Sequence, residues 1–306
     1  MKIGYFADGP WSHKAIEKIF SNNNFQIAFI VPRYDTQDPI LKEWSRKLDV
    51  DFIPLEDVNS LDSLEILKKY DADLFVSMSF NQILKANILN LPKKGFINCH
   101  AGALPFYRGR NILNWALIND EKEFGVTVHY IDEGIDTGDI ILQRMAKITD
   151  QDSYKTLLER AINLCAESLF DAICELALGK VNRIEQNLID PVGTYFGRRR
   201  EGDEWLDWNW SSRKIFNFIR AITNPGPCAR TLFEEQNLKV RSSLEIKGAS
   251  NYTSTAGEIV GRNKDYLVVK TGDATIMIPR SDSVCEKNDS ILRSLRIGSR
   301  LKGYHS

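Results

Sequence analysis

From Lys2 to Ile131 the chain alternates short apolar runs with amphipathic stretches, and this rhythm restricts the fold more than any other feature. Lys2–Ala7, Phe25–Val31, Phe52–Pro54 and Leu74–Met78 read as strands. Helices are expected at Ala15–Phe20, with Ser12 as N-cap, and at Leu41–Leu48 and Leu64–Tyr70. Alternation of this kind predicts a Rossmann-like α/β unit, an open and mostly parallel sheet with helices on both faces. No Gly-x-Gly-x-x-Gly follows the first strand, and no glycine-lysine phosphate loop occurs. A nicotinamide dehydrogenase or a nucleoside triphosphatase is therefore not expected.

The chemistry concentrates between Phe96 and Gln143. The strand signal Gly95-Phe96-Ile97 runs into Asn98, Cys99 and His100, and a turn closed by Leu104-Pro105 follows. A helix carrying Trp115 and Leu117 leads to a second strand, Val126–Ile131, and to a loop with Asp132, Glu133, Asp136 and Asp139. Open α/β sheets build sites at the carboxyl ends of their strands, where a carboxylate from one loop can meet an imidazole from another. Each residue alone also has a structural reading: His100 as a strand-end histidine, Asn98 as a turn tie, Asp136 as turn chemistry between glycines. The ordered set Asn98-x-His100, Leu104-Pro105, Arg108-Gly109 and Asp136-Thr137-Gly138 favours a site.

That set resembles the formyltransferases that use 10-formyltetrahydrofolate. The group includes methionyl-tRNA formyltransferase, glycinamide ribonucleotide formyltransferase and the sugar N-formyltransferases. Their pattern is Asn-x-His, Ser-Leu-Leu-Pro, Arg-Gly and Asp-Thr-Gly, and this chain departs from it at Gly102 and Ala103. The resemblance implies Asn98, His100 and Asp136 as the catalytic trio. Transfer of a formyl group to an amine builds an oxyanion, which a donor such as the Asn98 amide stabilises by roughly 3 kcal/mol. His100 suits neutral-pH proton transfer as the base, oriented by Asp136. No metal is required. The resemblance also implies a folate pocket walled by Phe80, Ile83 and Leu84, with Asp132, Gly134 and Ile135 of the opposite loop. Trp11, Tyr107 and Arg108 are candidate substrate contacts, Arg108 for a pyrophosphate.

Further along, Asp152–Leu178 reads as a long helix ended by Gly179, and Leu188–Arg200 as a linker with Arg198-Arg199-Arg200. From Gly202 a helix at Ser212–Ile222 and short alternating runs suggest a small antiparallel, OB-like barrel. The expected division is a catalytic domain over residues 1–188, a linker over 189–202 and a C-terminal domain over 203–306. Ile-Arg-Ala-x-x-x-Pro at Ile219–Pro225 and the closing Gly-Ser-Arg-Leu resemble the second domain of the tRNA and aminosugar enzymes. Five scattered cysteines without C-x-x-C spacing suggest reduced thiols and a cytoplasmic setting. No apolar run is long enough to span a bilayer. A homodimer is a reasonable expectation.

The acceptor divides the family. A net charge of −1 gives no global field to recruit nucleic acid. The tRNA enzymes resemble one another in a basic glycine-lysine loop after the second strand. Here that place holds Val31–Pro39, short and with two acids. Phe106–Trp115 looks much like the formyltransferase half of the enzyme acting on UDP-4-amino-4-deoxyarabinose. The expected acceptor is thus a nucleotide-linked aminosugar (dTDP-, UDP- or GDP-linked) bound for a surface polysaccharide, with no nucleic-acid partner. Methionyl-tRNA is the alternative; an oligonucleotide-binding module and a hydrolase that frees formate are more distant ones.

Overall fold

The computed structural model describes residues 1–281 and 286–303, so Cys285 lies outside the described residues. The chain divides into two units. The first comprises Met1–Ile112, Glu123–Lys147 and Glu159–Gly197, the second Leu113–Lys122, Ile148–Leu158 and Arg198–Ser306. The stretch expected as a linker contributes to both, with the change between Gly197 and Arg198.

In chain order the first unit begins with β1 (Lys2–Ala7), α1 (Gly9–Phe20), β2 (Gln26–Pro32), α2 (Pro39–Leu48), β3 (Asp51–Phe52) and α3 (Leu61–Lys68). It continues with β4 (Leu74–Met78), α4 (Ala86–Leu89), β5 (Phe96–His100) and β6 (Arg108–Gly109). After α5 (Ile112–Ile118), which falls in the second unit from Leu113 on, come β7 (Glu123–Tyr130), β8 (Ile140–Lys147), α6 (Tyr154–Leu178), which belongs to the first unit from Glu159 on, and β9 (Tyr195–Phe196). The main sheet has the order β3-β2-β1-β4-β5-β7-β8. It is parallel from β3 to β5, and β7 and β8 extend it antiparallel. The first strand is buried from Ile3 to Ala7 and β4 along its whole length, as expected of strands covered on two sides.

Aromatic rings fill the core beside these strands. Phe6 packs against Phe29, Phe75, Phe80 and Phe96, with ring centroids 4.8–5.8 Å apart. Gly4 makes this possible. A Cβ there would lie 2.3 Å from Phe29 Cζ and 2.7 Å from Phe75 Cδ1, and the β1–β2 register shifts at the same point.

Ser12, expected to cap α1, lies inside the helix, and its hydroxyl donates to the Gly9 carbonyl at 2.7 Å. The helix starts earlier because Pro10 sits in the first turn, where its missing N–H costs nothing. Asp38 caps α2 through the Ile40 and Leu41 N–H groups and also accepts from the Gly9 N–H at 2.9 Å. Its carboxylate thereby ties the turn after β1 to the start of α2.

The second unit contains α7 (Ser212–Ile222), β10 (Ala229–Phe233), β11 (Gln236–Val240), β12 (Leu244–Glu245), β13 (Ile259–Arg262), β14 (Tyr266–Lys270), β15 (Thr275–Pro279), α8 (Glu286–Ser294) and β16 (Leu301–Lys302). Its strands are antiparallel and form two sheets, β11-β10-β16 and β12-β15-β14-β13. The bridge between Glu258 and Arg300 joins them. Within this unit Arg199 lies 5.4 Å from the Trp115 and Phe218 rings, so the middle arginine of the basic run is tucked over aromatic faces.

Filling the space left by Gly4 should cost stability. Gly4→Ala is expected to lower unfolding free energy by about 1–3 kcal/mol, read from urea denaturation, because the Phe29 and Phe75 rings must shift.

Candidate active site

The side chains of Asn98 and His100 share one face of β5, because residues two apart in a strand point the same way. Antiparallel pairing places His129 opposite Asn98 and Thr127 opposite His100, so all four lie on that face. Cys99 points to the other side, where its thiol contacts the Cys165 carbonyl at 3.5 Å.

Thr127 is fully buried and secures the turn below the histidine. Its hydroxyl donates to the Gly102 carbonyl (2.6 Å) and accepts from the Leu104 N–H (3.2 Å) and from Gln143 (2.9 Å). The Leu104-Pro105 bond in this turn is cis. Beyond it Tyr107 adopts a positive φ of 58°, and its carbonyl oxygen lies 2.7 Å from His100 Nε2. A carbonyl only accepts, so the ring hydrogen sits on Nε2 and the lone pair on Nδ1.

Nδ1 faces Asp136. The Asp136 Oδ2 atom is 3.6 Å away and accepts from the Gly109 N–H at 2.9 Å. The other carboxylate oxygen is 3.7 Å from His129 Nε2. His129 Nδ1 lies 2.7 Å from the Tyr130 carbonyl, which assigns its hydrogen to Nδ1 and leaves Nε2 to accept from the Asn98 amide at 3.3 Å. One amide hydrogen of Asn98 is thus engaged, and the second is available to a ligand oxygen. Asn98, His100 and Asp136, predicted from sequence as a trio, are brought together.

Burial pushes the His100 ring below the ordinary imidazole range, against the opposing pull of the Asp136 charge and the Tyr107 carbonyl. Burial of Asp136 also disfavours its charge. The Gly109 N–H, together with the His100 and His129 rings whenever these carry a second proton, outweighs that and holds its carboxyl well below the usual range. At neutral pH the pair is therefore a neutral imidazole beside an ionised carboxylate. A proton reaching Nδ1 would lie between the ring and a negative charge, the arrangement a general base needs.

Gly102 explains the departure from the Ser-Leu-Leu-Pro pattern. A Cβ at position 102 would lie 2.5 Å from His100 Nε2 and equally close to the Tyr107 carbonyl oxygen. In this chain the space is taken by the hydrogen bond between those two groups, and only glycine leaves it open.

The other expected site residues are more dispersed. Phe80 and Leu84 pack into the aromatic core, while Ile83 is 72% exposed. Their loop begins at Ser79, in a left-handed conformation with its carbonyl held by Arg33. Gln82 fixes the loop from below through the Val58 N–H and the Leu55 carbonyl. Asp132 folds the facing loop by accepting from Thr137 Oγ1 (2.6 Å) and the Gly134 N–H (3.1 Å). A side chain at Gly134 would collide with Thr137 Oγ1, and Ile135 is 53% exposed. Trp11 is half-buried on α1. The Tyr107 ring stacks on Phe196, with centroids 4.9 Å apart and planes 14° from parallel. Arg108 is turned inward: Nε and Nη2 donate to Gln186 Oε1 and Nη1 to the Val192 carbonyl.

Two contributors escaped sequence reading. His129, only 2% exposed, could have been found from the alternation Thr127-x-His129, which sets polar groups on one face of an otherwise apolar strand. Gln186 carries no local signal.

Comparison with known proteins bears on the family and the fold. The family profile described as formyl transferase matches residues 7–173, and that of the formyl transferase C-terminal domain matches 199–287. A methionyl-tRNA formyltransferase of Listeria monocytogenes is 35% identical over 79% of this chain and 75% of its own length. Among solved structures, a sugar 3N-formyl transferase crystallised in the presence of dTDP and 5-N-formyl-THF has a TM-score of 0.69 at 21% identity. The match covers 91% of this chain and 97% of that one. The N-formyltransferase of Helicobacter canadensis, in complex with folinic acid and dTDP-3-aminofucose, gives the same TM-score at 20% identity, over 91% and 98% of the chains.

The buried ring has a consequence for stability. The unfolded chain takes up a proton at His100 near pH 6.5, which the folded state resists. Stability is therefore expected to fall as pH drops below about 6.5 toward the lower folded pKa. His100→Ala should flatten that decline, measured as the difference between urea midpoints at pH 7 and pH 5.

Proposed function

The chain belongs to the formyl transferase family, and from that premise we propose that it transfers the formyl group of 10-formyltetrahydrofolate to the free amine of a nucleotide-linked amino-deoxysugar. Three side chains divide the work. Asn98 donates its remaining amide hydrogen to the formyl oxygen as negative charge builds there, a contribution of roughly 3 kcal/mol. His100 receives the amine proton at Nδ1 and returns it to N10 of the folate as the bond between N10 and the formyl carbon breaks, so that tetrahydrofolate leaves as a neutral amine. Asp136 stabilises the imidazolium that results.

The observation that carries the choice of acceptor is the loop between β2 and α2. It spans only Arg33–Asp38. Its single cation, Arg33, is spent on the Ser79 carbonyl and lies 3.4 Å from the Asp8 carboxylate. Asp38 is taken up in capping α2, and Asp35 remains exposed. Binding a tRNA requires cations free to neutralise phosphates, and this loop presents none. A nucleotide sugar needs only a few polar contacts in a cleft. Structures of sugar N-formyltransferases also align over most of the chain. The reading with methionyl-tRNA as acceptor draws on the sequence relatives, which carry that name.

A direct comparison separates the two. Purified protein is supplied with 10-formyltetrahydrofolate and either dTDP-, UDP- and GDP-linked aminosugars or charged initiator tRNA. Formylation of at least one sugar and none of the tRNA is expected; formylated methionyl-tRNA with every sugar untouched would overturn the assignment. With the accepted sugar, Asp136→Asn should lower kcat by roughly a hundredfold or more while the protein stays folded, because a neutral amide cannot hold the imidazolium.

A further inference from the structure

Gln186 lies 48 or more residues away in sequence from every group it touches in the catalytic loops, yet it is only 3% exposed. Its amide uses its full hydrogen-bonding capacity. Nε2 donates to the carbonyls of Asp136 and Gly138, both at 2.8 Å. Oε1 accepts from Arg108 Nε at 3.1 Å and from Nη2 at 2.7 Å. Two donors and two acceptor lone pairs are what a glutamine amide offers. Glutamate cannot donate, methionine does neither, and asparagine is one methylene shorter.

The partners of Gln186 are the two loops that build the site. Three consecutive residues divide the contacts: the Tyr107 carbonyl meets His100, the Arg108 side chain meets Gln186, and the Gly109 N–H meets the Asp136 carboxylate. Asp136 has a positive φ of 56°, a conformation that costs an L residue roughly 1 kcal/mol and persists only where neighbours impose it. The two carbonyls held by Gln186 are that of this strained residue and that of Gly138 two residues on. Gln186 is itself located from outside the site. Ile184 pairs with Ile140 at the start of β8, exchanging both backbone hydrogen bonds at 2.9 and 3.0 Å. Beyond it, β9 pairs with β6. A Cβ on Gly193 would lie 2.3 Å from the Pro105 carbonyl, and one on Gly109 2.2 Å from that of Phe196.

We propose that Gln186 is a positioning residue for formyl transfer, clamping the Asp136 loop to the Tyr107–Gly109 loop so that carboxylate and imidazole keep their separation. It touches neither reacting group, and it acts through the backbone of Asp136 and the side chain of Arg108. The inference rests on the formyl-transfer reading for its kinetic arm alone.

The test uses the full chain as Gln186→Met, which removes donors and acceptors at similar volume, and as Gln186→Glu, which keeps the shape and the Arg108 contact but loses the donors. Both are assayed with the accepted sugar, and the histidine ring protons are titrated by NMR. The ionisable side chains facing His100 are Asp136, across the Nδ1 gap, and His129 on β7. Moving the Asp136 charge away should therefore lower the His100 titration point. The kcat is expected to fall about tenfold or more with the KM for the folate donor little changed. A purely structural role would lower stability without moving the His100 titration. Unchanged kcat and an unmoved His100 titration in either folded variant would overturn the proposal. If no amine is formylated even by the unmodified protein, the acceptor reading fails by itself, and the titration still decides the role of Gln186.

Discussion

The His100 ring has a fixed hydrogen on one nitrogen and a charged neighbour across a gap from the other, and the proposed chemistry depends on keeping that asymmetry. The Tyr107 carbonyl holds Nε2, while the Asp136 carboxylate stands 3.6 Å from Nδ1. At that separation the two groups are not bonded in the neutral state, so Nδ1 remains free to accept a proton. Once protonated, the ring has an acceptor on each side. Burial resists the charge that, on the proposed mechanism, the reaction supplies. A closer carboxylate would stabilise the imidazolium prematurely, and a more distant one would not stabilise it at all.

Several otherwise unrelated features maintain this spacing. Gly102 admits the Tyr107 carbonyl, Thr127 anchors the turn under the ring, and the Gly109 N–H fixes one carboxylate oxygen. His129 occupies the other flank and orients the Asn98 amide. None of these groups lies on a mobile side chain alone. They come from strand faces and backbone, the elements that hold a reactive geometry most rigidly. The aromatic cluster around Phe6 performs the corresponding task for the sheet, packing the carboxyl-edge loop at Phe80 onto the strands that carry the site.

On the proposed reading, the acceptor is chosen by a part of the molecule other than the one that carries the chemistry. The relatives in sequence and the neighbours in structure are all named as formyltransferases and differ in the acceptor or ligand named for them. In this chain the loop after β2 uses its arginine and one of its aspartates internally, on Ser79 and on the start of α2. Charge that is satisfied within the protein cannot also bind phosphates. The same reasoning applies to Arg108, a candidate for pyrophosphate by its position in the chain. Its guanidinium is engaged with Gln186 and the Val192 carbonyl.

Local pattern sufficed for the parts governed by short-range physics. Alternating apolar runs predict the parallel strands, and Asn98-x-His100 puts two polar side chains on one strand face by the two-residue period alone. The Asp136-Thr137-Gly138 turn announces its carboxylate through turn chemistry and resemblance. Contacts between distant segments were not legible in that way. That His129 lies opposite Asn98 depends on β7 entering antiparallel in one register, and a slip of one residue would turn it to the other face. Gln186 and β9 lie in or beside a stretch whose composition reads as a linker, and only closure of the chain over residues 105–109 gives them meaning. Periodicity and turn preference act over a few residues and are written in the sequence directly. Pairing register and loop docking depend on the whole packed unit, so the tertiary structure decided which side chains complete the site.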